Sequence, residues 1–100
     1  MAEFVKAASV DQVQPGKSVV RNMGGKDIAI FNLNGEFFAI CNDCPHVGGP
    51  LGEGYLRGSV VTCPLHGWQF DIKTGKSPLI AAEVECYEVK VENGEILIAI

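Results

Sequence analysis

Tyr87-Glu88-Val89-Lys90-Val91-Glu92-Asn93-Gly94-Glu95-Ile96-Leu97-Ile98-Ala99-Ile100 is the stretch whose reading decides the fold class. Tyr87, Val89 and Val91 alternate with Glu88, Lys90 and Glu92, the two-residue period of a strand with one wet face. Asn93-Gly94 then breaks the pattern. A two-residue type I′ turn needs positive φ at both central positions, and these two residue types tolerate it best. The stretch therefore predicts a β-hairpin of residues 87–92 against 95–100.

Asn34-Gly35 repeats the signal further upstream and predicts a second hairpin, 27–33 against 36–41. Short apolar runs at 3–8, 18–23 and 59–62 are bounded by turn-forming residues and predict further strands. Val84 and Cys86 alternate with Glu83 and Glu85 in the opposite phase to the hairpin that follows, which predicts a β-bulge near Cys86-Tyr87. Ser9-Val10-Asp11-Gln12-Val13 predicts a single helical turn before Pro15-Gly16, and no segment keeps a helical period over more than two turns. The fold class is all-β, an antiparallel sandwich or small barrel.

The chain has 100 residues, of which 47% are hydrophobic and 20% charged. That length predicts one domain, 1–100, with a packed core and room for one site. The formal charge is −4, and the eight basic residues are scattered instead of forming a stripe for phosphate backbones, so no nucleic-acid partner is expected. No apolar run approaches the roughly 20 residues that cross a bilayer, and Met1-Ala2-Glu3-Phe4-Val5-Lys6 does not read as a signal peptide. The expectation is a cytoplasmic protein without a membrane partner. In a reducing compartment, Cys41, Cys44, Cys63 and Cys86 suggest metal or redox chemistry more than disulfides.

The β pattern gives way between Cys44 and Phe70. There the chain reads Cys44-Pro45-His46-Val47-Gly48-Gly49-Pro50-Leu51-Gly52-Glu53-Gly54, and later Cys63-Pro64-Leu65-His66-Gly67-Trp68-Gln69-Phe70. Each stretch offers one thiol and one imidazole, as C-x-H and then C-x-x-H. The glycines between them would let backbone N–H groups approach a buried group without Cβ interference. Two readings of the donors stand open. Cys41-x-x-Cys44 with Cys63-x-x-His66 is a zinc-ribbon spacing, the mark of a non-redox interaction module, but it leaves His46 unused. The other reading uses both cysteine–histidine pairs.

Those two pairs, with the Gly-Gly-Pro-Leu-Gly-Glu-Gly segment and His-Gly-Trp-Gln-Phe-Asp, resemble the Rieske iron–sulfur family. The resemblance implies an antiparallel β-sandwich or barrel with a loop-rich cluster-binding subdomain, its loops at about 41–71. It implies one [2Fe–2S] cluster, with Cys44 and Cys63 on an inner iron and His46 and His66 on an outer iron. Neutral imidazoles in place of two thiolates raise the potential above that of all-cysteine clusters. High-potential members carry a disulfide-forming cysteine in each loop, where this chain has Gly49 and Leu65, and a serine and a tyrosine where it has Trp68 and Phe70. Fewer donors to sulfur imply a potential toward the low end of the Rieske range.

With every protein position on the irons filled, the resemblance implies a one-electron carrier without catalytic residues of its own. It implies a monomeric ferredoxin that takes electrons from an NAD(P)H-dependent flavoprotein reductase and delivers them to a terminal oxygenase. The small subunit of an assimilatory nitrite reductase is the second implied role. Outside the ligands, Cys41 and Cys86 are expected as buried small hydrophobes, and Trp68 and Phe70 as packing beneath the second loop. Phe4, Phe31, Phe37, Phe38, Tyr55 and Tyr87 are expected in the core or on sheet surfaces. Lys73-Thr74-Gly75-Lys76 reads as a solvated turn, and Pro78 as the start of a segment lying against the loops.

Overall fold

Ile28, Ala29, Ile30 and Phe31 are apolar at consecutive positions, a pattern that fits a strand covered on both faces better than one with a wet face. The computed structural model describes residues 3–43, 50–65 and 67–100 and bears this out. All four side chains are at most 1% exposed, within a strand at Lys26–Leu33. In chain order the strands are β1 (Phe4–Ser9), β2 (Ser18–Met23), β3 (Lys26–Leu33), β4 (Glu36–Cys41) and β5 (Tyr55–Arg57). They continue as β6 (Val60–Thr62), β7 (Gln69–Asp71), β8 (Cys86–Tyr87), β9 (Val89–Glu92) and β10 (Glu95–Ala99). They form three antiparallel sheets, ordered β1-β10-β9, β2-β3-β4-β8 and β5-β6-β7.

Because side chains alternate across a strand, β3 and β4 feed two separate cores. Ile28, Ile30 and Ala39 pack with Ala8, Ile96 and Ile98 beneath the β1-β10-β9 sheet. Ala29, Phe31 and Ile40 pack on the other side with Leu51, Val61, Cys63, Phe70 and Ile72. The four-stranded sheet is thus the middle layer. Each large side chain buried there contributes about 1.5–3 kcal/mol of transfer free energy.

Both Asn-Gly turns form as expected, with φ of 53° and 92° at Asn34 and Gly35, and 52° and 75° at Asn93 and Gly94. The strands expected at 3–8, 18–23, 27–33, 36–41 and 59–62 form within one residue of those bounds. The helical turn is a single 3-10 turn at Val10–Gln12, where the Ser9 N–H donates to Gln12 Oε1 at 2.9 Å. One irregularity was not foreseen. The β1–β10 register shifts between Lys6 and Ala8, and Arg21 Nε donates to the Ala7 carbonyl at 3.2 Å.

The bulge expected near Cys86-Tyr87 is replaced by a change of sheet. Cys86 and Tyr87 pair with Ile40 and Ala39 of β4, whereas Val89 pairs with Ile98 of β10. The phase reversal in the sequence marks the crossing between two layers, so the second hairpin begins at Val89 and not at 87. The sequence reading also missed β5 and β7, each only three residues long and set among loop residues. No helix among the described residues is long and apolar enough to cross a membrane.

Tyr87 ties the crossing to the middle layer. Its O–H donates to Glu85 Oε2 at 2.6 Å, and Lys26 Nζ lies 3.2 Å from the same oxygen. The Tyr87 hydrogen bond and the Lys26 ammonium lower the Glu85 carboxyl below its ordinary value. Burial, then the Glu85 hydrogen bond and charge, pushes the Tyr87 phenol well above its ordinary value. A phenol raised in the folded state contributes stability that is complete below the unfolded value and lost as pH climbs toward the folded one. Alkaline absorbance titration is expected to show a late phenolate phase, near the pH of unfolding, that disappears in Tyr87→Phe. An unchanged late phase in that variant would refute the assignment.

Candidate metal centre

Two loops leave the middle of the fold and are closed at their bases by backbone bonds. The first follows β4. Asp43 and Pro50 form an isolated antiparallel bridge, and the Leu51 N–H donates to the Asn42 carbonyl at 2.8 Å. The Gly52 N–H donates to Asn42 Oδ1 at 2.7 Å, and Ser18 Oγ donates to the Gly52 carbonyl. Asp43 and Pro50, which flank residues 44–49, are thereby fixed next to each other. Cys44 and His46 belong to that segment and lie outside the described residues.

The second loop joins β6 to β7. The Cys63 N–H donates to the Trp68 carbonyl at 2.7 Å, and the Gly67 N–H donates back to the Cys63 carbonyl at 3.1 Å. Gly67 completes this tight turn at φ 75°, the left-handed region that favours glycine. Cys63 points inward and is 2% exposed, while Leu65 at the loop tip is 58% exposed. His66, between them and Gly67, lies outside the described residues. Of the four expected ligands, Cys63 alone can therefore be located.

The two loops lie against each other. Leu51 of the first and Cys63 of the second share one core with Val61 and Phe70. Gly54 makes the close approach possible, since a Cβ there would collide with the Thr62 carbonyl one residue before Cys63. Its φ of −77° is open to any residue, so the requirement is for space. Phe70 is fully buried and Trp68 is half-buried against the same core, as expected for side chains beneath the second loop.

A two-iron cluster with inner thiolates and outer imidazoles fits this frame. Cys63, buried at the foot of the second loop, could hold an iron, and the Asp43–Pro50 bridge flanks the segment whose Cys44 and His46 are the expected partners. Among the described residues no three His, Cys, Asp or Glu side chains converge, which follows from three of the expected ligands lying elsewhere. The zinc-ribbon reading fares badly. Cys41 follows Ile40 on β4 and so faces the opposite side of the middle sheet from Ile40, which shares its core with Cys63. Cys41 instead lines a groove with Lys26, Asp43, Glu85 and Tyr87.

The expectation that Cys41 and Cys86 are both buried needs correction. Cys41 is half-buried and Cys86 is exposed, because the two-residue β8 is an edge strand. Desolvation, with the Asp71 charge second, raises the Cys86 thiol above its ordinary value, so it is a poor nucleophile. Phe31 is in the core and Phe37, Phe38 and Tyr87 are half-buried, whereas Phe4 and Tyr55 lie on exposed sheet surface. The turn after β7 closes through the Gly75 N–H to the Asp71 carbonyl, with Lys73, Thr74 and Lys76 in solvent. Pro78 opens a solvent-facing loop bridged by Lys76 and Glu83, with Leu79 and Ile80 exposed. Of the ligand residues on the loops it was expected to lie against, Cys44, His46 and His66 lie outside those described. Sequence reasoning missed Asn42, whose buried amide holds the first loop, because an asparagine beside a loop reads as turn chemistry.

The family described as the Rieske [2Fe–2S] domain matches residues 3–91. The ferredoxin subunit of biphenyl dioxygenase from Pseudomonas sp. (strain KKS102) is 41% identical over 98 residues, covering 95% of this chain and 90% of that one. The solved ferredoxin of carbazole 1,9a-dioxygenase from Nocardioides aromaticivorans IC177 superposes with a TM-score of 0.89 at 31% identity, covering 96% of each chain. A structure described as a putative NADH-dependent nitrite reductase small subunit from Mycobacterium tuberculosis gives 0.90 at 25% identity, covering 99% of this chain and 96% of the other.

This chain belongs to the Rieske [2Fe–2S] domain family. Its cofactor is accordingly a [2Fe–2S] cluster. The tight contact at Gly54 leaves no room for a Cβ between the two loops. Gly54→Ala is expected to cost about 1–3 kcal/mol of stability through overpacking and to lower the iron bound per chain, measured by urea denaturation and iron assay. Wild-type stability with full iron content would show that the loops have slack there.

Proposed function

We propose that the chain is a one-electron carrier of the cytoplasm, the Rieske ferredoxin component of an oxygenase system. It receives electrons from an NAD(P)H-dependent flavoprotein reductase and delivers them to a terminal oxygenase. The observation that carries this reading is the likeness to the biphenyl dioxygenase ferredoxin subunit over nearly the whole of both chains. The carrier is an electron-transfer protein and not itself the catalyst. The reading treats 1–100 as one domain whose cluster-binding loops span about 41–71.

We assign Cys44 and Cys63 to the inner iron and His46 and His66 to the outer one. The inward-facing Cys63 supports the inner position for a thiolate, and the Asp43–Pro50 bridge flanks the segment that carries Cys44 and His46. When bound, the cluster supplies a one-electron couple whose oxidised form, with two thiolates and two neutral imidazoles, carries no net charge. The residues of the chain do the rest. Leu51, Val61 and Phe70 keep water from the inner thiolate side, and the closed Cys63–Trp68 turn restrains its ligand. Restrained ligands move little on a change of charge, which suits rapid transfer. Trp68 and Phe70 offer no hydroxyl to the sulfurs, which favours a low potential.

EPR-monitored redox titration is expected to give a single one-electron transition toward the low end of the Rieske range, about −150 mV or somewhat higher. His46→Ala is expected to abolish the native spectrum, while Cys41→Ala and Cys86→Ala retain it. A bleached Cys41→Ala protein would overturn the ligand assignment.

A further inference from the structure

We infer that Asn42 is a positioning residue for the cluster: its buried side-chain amide sets how the two ligand loops stand relative to each other. The inference rests on the ligand assignment above and deepens it.

Asn42 is only 7% exposed, one of two buried polar residues among those described. Its backbone N–H donates to the Asp27 carbonyl at 2.9 Å, which fixes it to the start of β3. Its own carbonyl accepts from the Leu51 N–H at 2.8 Å and its Oδ1 accepts from the Gly52 N–H at 2.7 Å. One residue thus grips two consecutive amides across the base of the segment that carries Cys44 and His46. A single backbone bond there would leave a hinge. Two bonds to adjacent N–H groups also define the direction in which Leu51–Glu53 leaves the loop.

That direction matters because of what lies beyond it. Leu51–Glu53 is a single 3-10 turn, closed by the Gly54 N–H on the Leu51 carbonyl at 3.0 Å. Gly54 then abuts the Thr62 carbonyl, and Thr62 is bonded in sequence to Cys63. The path from the Asn42 amide to the Cys63 thiol is therefore a short run of backbone with no flexible side chain in it. The clamp is also tight from the opposite side. A Cβ on Gly52 would lie 2.9 Å from Asn42 Oδ1 and 2.5 Å from Val20 Cγ2, so glycine is needed where the amide makes its bond.

Asn32, the other buried polar residue, provides a matched comparison. Its Nδ2 donates to the Val13 carbonyl at 2.7 Å and its Oδ1 accepts from the Gly35 N–H at 2.8 Å. Its side chain makes two bonds where that of Asn42 makes one, but it pairs with Phe37 at the hairpin end of β3 and β4. Ile28 pairs with Cys41 at the other end, about 13 Å away at the rise of a strand. Losing Asn32 removes stability far from the loops, whereas losing Asn42 disturbs the placement of the ligands.

The test compares Asn42→Ala, Asn42→Asp, Gly52→Ala and Asn32→Ala as full-length holoproteins, using the EPR g-values of the reduced form and the rate of iron release to a chelator. Asn42→Ala and Gly52→Ala are each expected to shift the g-values and to speed iron release about tenfold or more. Asn42→Asp keeps the acceptor oxygen and is expected to restore wild-type g-values. Asn32→Ala is expected to lower the thermal midpoint while leaving both readouts as in the wild type. Should Asn42→Ala not accumulate with iron, Gly52→Ala and Asn42→Asp decide the question by the same criteria. Wild-type g-values and release rates in Asn42→Ala or Gly52→Ala, or equal changes in Asn32→Ala, would overturn the inference. The wild-type protein reports separately on the ligand assignment: without two irons and two acid-labile sulfides per chain the assignment itself fails, whatever the variants do.

Discussion

The two-sided burial of β3 is the constraint on which the other features depend. A sheet with one wet face supports a single core, but this middle layer supports two, sorted by strict alternation along Ile28, Ala29, Ile30 and Phe31. The core shared with β1, β9 and β10 is made of strand side chains and one preceding turn. The core on the other face is partly built from loop residues, Leu51 and Cys63 among them. One face of the central sheet thereby carries a packed base, and the other carries the core from which the two loops rise. Burial of this kind suits the proposed role of Cys63, because a side chain fixed in close-packed surroundings does not wander when the charge beside it changes.

The loops are held by backbone bonds and close backbone contact, with few side chains involved. Asn42, the Asp43–Pro50 bridge and the Cys63–Trp68 turn each close a short ring, and Gly54 lets one ring rest on the other. This economy suits a segment dense in glycine and proline, where backbone amides are the available polar groups. Among the described residues the surface ion pairs are Lys6–Glu95 and Lys90–Glu92 on the β1-β10-β9 sheet, and Lys26–Glu85 beside the middle layer. Exposed pairs of this kind contribute about 0–1 kcal/mol each.

Much of the base was legible in the sequence because its signals are local. Asn34-Gly35 and Asn93-Gly94 encode their turns in two residues, and the flanking alternation fixes which side chains face inward. What was not legible depends on partners distant in sequence. The phase break at Cys86-Tyr87 reads as a bulge until Ile40 and Ile98 are seen to claim opposite sides of it. β5 and β7 are too short for a period to emerge, and exist because β6 lies between them. Cys86 reads as buried by residue type, yet an edge strand leaves it open. At the site, the two cysteine–histidine motifs were plain from residue type and spacing. The Asn42 amide that holds Gly52 was not, since its bond spans ten residues and needs a glycine at the far end.

Mössbauer spectroscopy of protein enriched in iron-57 addresses the central claim most directly, because it counts iron environments without reference to any partner. Mixed ligation predicts two ferric subspectra of equal area in the oxidised protein, with distinct isomer shifts for a sulfur-ligated and a nitrogen-and-sulfur-ligated iron. One environment alone, whether a lone ion or two equivalent irons, would contradict it.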